Sequence, residues 1–321
     1  MPKSNIISVT NSFTDCLIDL AKKNKKIIVL DADLSDDVNL NKFKKYYLNR
    51  FIQNGIAEQD MVSMAGGMAL TGLLPVVNSF ASFLTSRANE QIYNNATENT
   101  KIIYMCLYAG SIPAGAGKSH QSLRDISVLS SIPNMSIFHP YNHTETKQVL
   151  KHCLSKNVKN NCAIRLSIGP VPQEAPLIDK KYKFLDGQGF SVTEGDDAIL
   201  FTYGQTMLTE AYKASLFLKK KNIKIEVVNT PCVNNFNKNW LKKKIKNKNS
   251  IFFLDDHNIN GGLGDLMIGF LAENNLLKDK KITKFGFRDF PACGTTAEVL
   301  SFHKLDYKNI SNQIISKIKN D

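Results

Sequence analysis

The stretch Lys26-Ile-Ile-Val-Leu-Asp31 is the part of the sequence that decides the fold. A short, unbroken apolar run of this kind predicts a strand buried on both faces of a parallel sheet. Just before it, Phe13, Cys16, Leu17 and Leu20 fall at i, i+3, i+4 and i+7, which predicts a helix over Val9 to Asn24. The same alternation continues downstream. Helices are expected near Ala57 to Leu70, Leu84 to Thr97, Leu123 to Ser130 and Thr144 to Leu154. Strands are expected near Leu74 to Asn78, Ile102 to Leu107, Met135 to Phe138 and Ala163 to Leu166. Helix and strand in strict alternation is the pattern of a doubly wound α/β domain.

The segment Gly169-Pro-Val-Pro-Gln-Glu-Ala-Pro176 concentrates turn-forming residues before a polar stretch and marks the domain boundary. A second α/β unit follows, with strands predicted at Ala198 to Thr202, Ile223 to Val228, Ile251 to Leu254 and Ile282 to Phe287. Helices are predicted at Thr206 to Lys219 and Leu263 to Glu273. The expected division is therefore an α/β domain over 1–173, a linker over 174–190 and a second α/β domain over 191–321. A length of 321 residues suits two such domains.

Composition narrows the function classes. Hydrophobic residues make up 43% and charged ones 22%, as in ordinary soluble chains, which argues against disorder, collagen or coiled coil. No apolar run approaches the roughly 20 residues that a spanning helix needs. Met1-Pro-Lys-Ser-Asn5 has no apolar core behind its charge, so no secretory signal is expected and the expected location is cytoplasmic. The six cysteines show no metal-ligand spacing and are expected to be reduced and mostly packed; no metal site is expected on this chain. The net charge of +12 draws much of its excess from the Lys- and Asn-rich stretch Leu218 to Ser250. Without interleaved aromatics or a recognition-helix pattern, that stretch reads as a solvated surface and not as a nucleic-acid face.

Gly115-Ala-Gly-Lys-Ser119 ends like a phosphate-binding loop, but Ile112 stands where the full pattern needs its first glycine. The loop still follows the Tyr104 to Tyr108 strand, at the carboxyl end of a parallel sheet, where open α/β folds bind ligands. The more specific signal is Arg50-Phe-Ile-Gln-Asn-Gly-Ile-Ala-Glu-Gln59, followed by the small-residue helix Ser63-Met-Ala-Gly-Gly-Met-Ala69. A glutamate at a helix start can simply complement the macrodipole. Its company gives it another meaning. Phe80-Ala-Ser-Phe83, Arg87-Ala-Asn-Glu-Gln91, Lys118-Ser-His-Gln-Ser-Leu-Arg-Asp125 and Ile132-Pro-Asn-Met135 follow in order.

Together these stretches resemble the pyrimidine-binding region of thiamine-diphosphate enzymes of the transketolase family. Gly55-Ile-Ala-Glu-Gln59 looks like the form found in deoxyxylulose-phosphate synthases and two-subunit transketolases. Asp255-Asp-His-Asn-Ile-Asn-Gly-Gly-Leu-Gly264 is similar to a segment of the family's C-terminal domain, so the resemblance covers essentially the whole chain. It implies thiamine diphosphate as cofactor, with the 1–173 domain binding its pyrimidine. Glu58 would hydrogen-bond the far pyrimidine nitrogen and drive the ring to its imino form, so that the cofactor's own amine becomes the base. Phe80 and Phe83 would pack the ring, with Ile56, Arg87 and Asp33 also beside the cofactor. His120 matches a substrate-facing histidine, and Tyr108 and Asp37 are further candidates on the substrate side. The remaining histidines match no catalytic position; His257 and the glycines after it are expected to shape a tight turn and a subunit contact.

The departures carry as much as the matches. No Gly-Asp-Gly followed by an Asn-rich segment occurs, and that is the family's magnesium-diphosphate motif. The resemblance therefore implies a second polypeptide, an N-terminal transketolase-like subunit that supplies the diphosphate and Mg2+ site, in an α2β2 heterotetramer. Where sugar-phosphate transketolases carry Arg, Ser, Asp and His, this chain reads Ile168, Asp37, Ala116 and Tyr108. An anionic phosphate prefers Arg and Ser to Ile and Asp. The implied activity is transfer of a two-carbon ketol unit from a ketose to an aldehyde, with a substrate unlike those of the pentose-phosphate pathway. The β subunit of a 2-oxoacid dehydrogenase or decarboxylating synthase shares the architecture, and a catalytically idle scaffold subunit would share the fold; both stay open at this point.

Overall fold

The computed structural model describes residues 9–169, 171–176 and 182–319. The chain forms two compact units: Met1–Ala109 with Ser127–Val171, and Gly110–Ile126 with Pro172–Asp321. The linker expected over 174–190 includes residues 177–181, which lie outside the described residues.

In the first unit α1 (Val9–Lys23) leads into β1 (Ile27–Asp31), α2 (Leu40–Tyr46), β2 (Phe51–Gln53), α3 (Glu58–Leu70) and β3 (Leu74–Phe80). Then come α4 (Ala81–Arg87), α5 (Asn89–Thr97), β4 (Ile103–Leu107), α6 (Asp125–Ser130), β5 (Met135–Phe138), α7 (His143–Cys153) and β6 (Asn161–Leu166). The six strands form one parallel sheet in the order β2-β1-β3-β4-β6-β5. Every residue of β3, β4, β5 and β6 is buried, as a sheet covered on both faces requires. The apolar face predicted for α1 is the face that packs: Phe13 and Leu17 are fully buried, and the Cys16 thiol reaches the Lys147 carbonyl of α7 at 3.8 Å. Each such side chain contributes about 1.5–3 kcal/mol on burial. The helix expected over Leu84 to Thr97 is instead two helices. The break at Ala88 ends α4 on Arg87, whose side chain turns back to α3.

The second unit contains β7 (Phe190–Thr193), β8 (Ala198–Thr202), α8 (Gln205–Lys219), β9 (Ile225–Asn229), α9 (Lys238–Ile245) and β10 (Ser250–Asn258). It closes with α10 (Leu263–Glu273), β11 (Lys281–Phe287), α11 (Thr296–Phe302) and α12 (Tyr307–Lys319). The sheet order is β11-β10-β8-β9-β7, parallel except for β7, which runs antiparallel to β9. Gly110–Ile126, from the middle of the expected first domain, also belongs to this unit. The Lys-rich stretch is not merely a solvated surface. Lys244 donates to Glu226 at 2.7 Å and to Ser191 at 2.5 Å, tying α9 to β9 and β7, and Lys248 is 7% exposed with the Glu226 carboxylate 3.7 Å away. Five cysteines are buried and Cys293 is exposed. No helix among the described residues is long and apolar enough to cross a membrane.

Candidate functional site

The site in the first unit is built on the turn between β2 and α3. Gly55 has φ +69°, a left-handed conformation that glycine adopts without steric cost, and it swings the chain from the edge strand into the helix. Gln53 holds this turn from below. Its carbonyl oxygen accepts the Asp33 amide at 3.0 Å and the Gly55 amide at 3.1 Å, and its NH2 donates to Asp31 at 2.9 Å. Asp31, fully buried at the end of β1, also accepts from the Leu34 amide at 3.1 Å, the Ser35 hydroxyl at 2.6 Å and the Asn78 side-chain amide. One carboxylate thus ties together the ends of β1, β2 and β3. Asp33 itself stands at φ +64°, a conformation short polar residues tolerate.

Glu58 is the first residue of α3, where the helix dipole favours a carboxylate, and it is 3% exposed. The Ser79 hydroxyl donates to its Oε1 at 3.1 Å, and Arg87 Nη1 lies 3.0 Å and 3.1 Å from its two oxygens. The Arg87 guanidinium lies 3.9 Å from the centroid of the Phe83 ring. Phe83 in turn meets Phe80, with centroids 5.5 Å apart, and Phe80 meets Tyr108 edge-on at 5.4 Å. The small residues of α3 have a packing reason as well: a Cβ on Gly66 would overlap the Asn95 side chain, which donates to the Val62 carbonyl at 2.8 Å.

The structure brings Glu58, Phe80, Phe83, Arg87 and Tyr108 into one contiguous cluster, a buried carboxylate beside a wall of aromatic rings. Asp33 and the Gly55-Ile56 turn join its edge through Gln53. Ile56 is 74% exposed, an apolar side chain presented on the turn that precedes Glu58. Tyr108 is half-buried at φ +55°, an uncommon conformation for a bulky residue, at the carboxyl end of β4. Asp37 lies farther along the loop after Asp33; partial desolvation and then the Asp36 and Asp31 carboxylates raise its pKa above the ordinary 3.8. His120 is in the second unit, half-buried, with Nδ1 3.0 Å from the Ser119 hydroxyl.

Sequence reasoning passed over Gln53, Asn78 and Ser79, which support the predicted residues. Gln53 lay inside the quoted motif, and Asn78 and Ser79 immediately precede Phe80, but strand polar residues give no periodic signal. It also left His139 unassigned. That ring is buried with Arg165 Nη1 2.8 Å from its Nδ1 and the Ser167 hydroxyl 3.1 Å from its Nε2. Burial first, and the Arg165 charge second, hold its pKa well below the ordinary 6.5. Among the described residues no group of three or more His, Cys, Asp or Glu is placed to hold a metal ion.

Family comparison matches two successive parts of the chain. Residues 6–172 match the transketolase pyrimidine-binding domain, and residues 187–310 match the transketolase C-terminal domain. The chain belongs to the transketolase family. It is 31% identical to a protein of Methanocaldococcus jannaschii bearing the name transketolase C-terminal section, with 96% of each chain covered. It is 27% identical to one of the subunits of apulose-4-phosphate transketolase from Phocaeicola vulgatus, covering 98% of this chain and 99% of that one. It is 29% identical to 1-deoxy-D-xylulose-5-phosphate synthase of Clostridium tetani, but spans only 49% of that protein. Among solved structures, a split gene transketolase described as an inactive beta4 tetramer matches with a TM-score of 0.86 and 25% identity over 98% of this chain and 99% of that chain.

Proposed function

We propose that the chain is the C-terminal subunit of a split, thiamine-diphosphate-dependent transketolase, which moves a two-carbon ketol unit from a ketose donor to an aldehyde acceptor. The observation that carries this reading is the Glu58 cluster. The carboxylate is buried and held by Ser79 and Arg87, and Arg87 in turn lies over Phe83, which meets Phe80. A pyrimidine ring asks for these groups: a carboxyl that can share a proton with one ring nitrogen, and apolar surface for its faces. When bound, thiamine diphosphate supplies the acidic thiazolium carbon that ketol transfer needs.

In this reading Glu58 holds a proton shared with the pyrimidine nitrogen, and Arg87 keeps the carboxylate oriented toward it. Phe80 and Phe83 fix the plane of the ring, while Ile56 and Asp33 border it. His120 hydrogen-bonds and moves a proton at a substrate oxygen, and Tyr108 and Asp37 are further substrate-side residues. The diphosphate and Mg2+ are held by a partner chain carrying the Gly-Asp-Gly motif, in an α2β2 assembly in the cytoplasm. Relatives that are similar from end to end are named as a section or a subunit, and the split-gene structure is an inactive assembly of one subunit type. Those names support a requirement for the partner. Because Ile168, Ala116 and Asp37 replace the family's phosphate-side residues, the donor differs at that end from pentose-phosphate ketoses.

The test is reconstitution with such a partner and a panel of ketose donors, scored for both ketol transfer and carbon dioxide. Ketol transfer without carbon dioxide release is the expected result. Carbon dioxide from pyruvate with no transfer would replace this reading by the 2-oxoacid one. Efficient turnover of xylulose 5-phosphate with ribose 5-phosphate at micromolar KM would overturn the substrate clause alone.

A further inference from the structure

The loop that carries His120 is fastened at both ends to the last residues of β10. Asp256, 2% exposed, accepts the Ser111 amide at 2.8 Å, and the Asn258 amide donates to the Leu123 carbonyl at 2.8 Å. At the base of the loop Gly110 and Ser122 pair antiparallel, with amide-to-carbonyl distances of 3.2 Å and 2.9 Å. The Gln121 side-chain amide donates to the Ser111 carbonyl at 2.9 Å and to the Ala292 carbonyl at 3.1 Å. Gly110 stands at φ +91°, and a Cβ there would overlap the Asp256 carboxylate. The loop and the carboxylate are therefore fitted to each other from both sides.

The tip of the loop is held within itself by turn bonds, the Gly117 amide to the Ala114 carbonyl at 3.2 Å and the His120 amide to the Gly117 carbonyl at 3.0 Å. Of Gly115-Ala-Gly-Lys-Ser119, all but the half-buried Gly117 are exposed, and the segment carries no large apolar side chain to bury. Such a segment pays the full conformational cost of order unless its ends are fixed. A charge-assisted bond from a buried carboxylate to a backbone amide is among the stronger ways to fix one. Asp255, its neighbour, does something different: it accepts the Leu263 and Gly264 amides at 2.7 Å and 3.0 Å and caps α10.

We propose that Asp256 is a positioning residue for His120. The proposal rests on His120 facing substrate, as read above. A displacement of about 1 Å in a reacting group costs on the order of a hundredfold in rate. Loss of the anchor should thus appear in donor kinetics and leave cofactor affinity alone.

The test uses the full chain as Asp256→Ala, Asp256→Asn and Gly110→Ala. Hydrogen exchange on the chain alone is expected to quicken at least tenfold over residues 110–126 in Asp256→Ala and Gly110→Ala, with β8 and β9 as protected as in wild type. Asp256→Asn, which keeps an acceptor oxygen, should recover most of that protection. In the reconstituted enzyme, kcat/KM for the donor should fall between about tenfold and a hundredfold in Asp256→Ala, with unchanged affinity for thiamine diphosphate and partial rescue in Asp256→Asn. Unchanged exchange over 110–126, protection lost throughout the second sheet, or a loosened loop with wild-type donor kinetics would each overturn the proposal. A wild-type complex that transfers no ketol unit fails the underlying reading instead, and does so before any variant is compared.

Discussion

Asp31 closes β1 of the first sheet and Asp255 lies near the end of β10 in the second, and the two buried carboxylates are put to different uses. Asp31 gathers Gln53, Asn78, Ser35 and the Leu34 amide, and through Gln53 its bonds reach the Gly55 turn that leads into Glu58. Asp255 gathers the Tyr203 hydroxyl and two amides at the start of α10, so that its bonds end inside the second unit. The two units share an α/β architecture and each carboxylate ties its own unit together, but the bonds of Asp31 reach the loop after β1 and the Gly55 turn, whereas those of Asp255 reach the start of a helix. The proposed cofactor site lies where the first pattern operates. In the second unit the exception is Asp256, which faces the His120 loop.

That contrast can be broken or sharpened by substitution. The largest expected effect is Glu58→Gln: turnover of the reconstituted enzyme should fall by about 10²- to 10⁴-fold while the chain alone keeps its melting temperature. A variant retaining wild-type rate removes Glu58 from the chemistry. Next is Asp255→Ala, which loses a helix cap and leaves a buried tyrosine hydroxyl without its acceptor. It should cost about 3 kcal/mol, read as a lower denaturation midpoint of the second unit. Equal loss of cofactor affinity in that variant would erase the distinction between the two sheets.

A smaller effect is expected from His139. Its pKa is depressed in the folded chain, so the stability it contributes is present above the unfolded value of 6.5 and is lost as pH falls below it. The slope should approach about 1.4 kcal/mol per pH unit, seen as a lower urea midpoint at about pH 5.5 than at about pH 7.5. His139→Gln should flatten that dependence; an unaltered slope assigns it to other groups. The smallest is Gln53→Ala. Its bonds to the Asp33 and Gly55 amides lie on the surface and its third reaches the buried Asp31, so stability should fall by about 1 kcal/mol, while the complex should bind thiamine diphosphate about tenfold more weakly.

The same contrast explains what was legible in the sequence. Buried parallel strands announce themselves as apolar runs, and β5 and β8 fall on the predicted residues. Edge strands do not. β2 is three residues long, and the half-buried β7 pairs antiparallel at the rim, so neither carries enough apolar residues to stand out. Helix α9 hides its buried Leu241 and Ile245 among lysines. For the site, Glu58 and the phenylalanines were legible through a local motif. Gln53, Asn78 and Asp256 were not, because each matters through a partner distant along the chain: Asp31 and Asn78 are 47 residues apart, and Ser111 and Asp256 are 145 apart.

The central claim is that this chain holds one part of a cofactor site completed by a second polypeptide. Calorimetric titration of thiamine diphosphate with magnesium tests it most directly, first into the chain alone and then into its mixture with a partner carrying the Gly-Asp-Gly motif. Tight binding in the mixture and none to the chain alone is the predicted result. Binding in neither sample would contradict the account, and would leave the Glu58 cluster as inherited architecture without the chemistry.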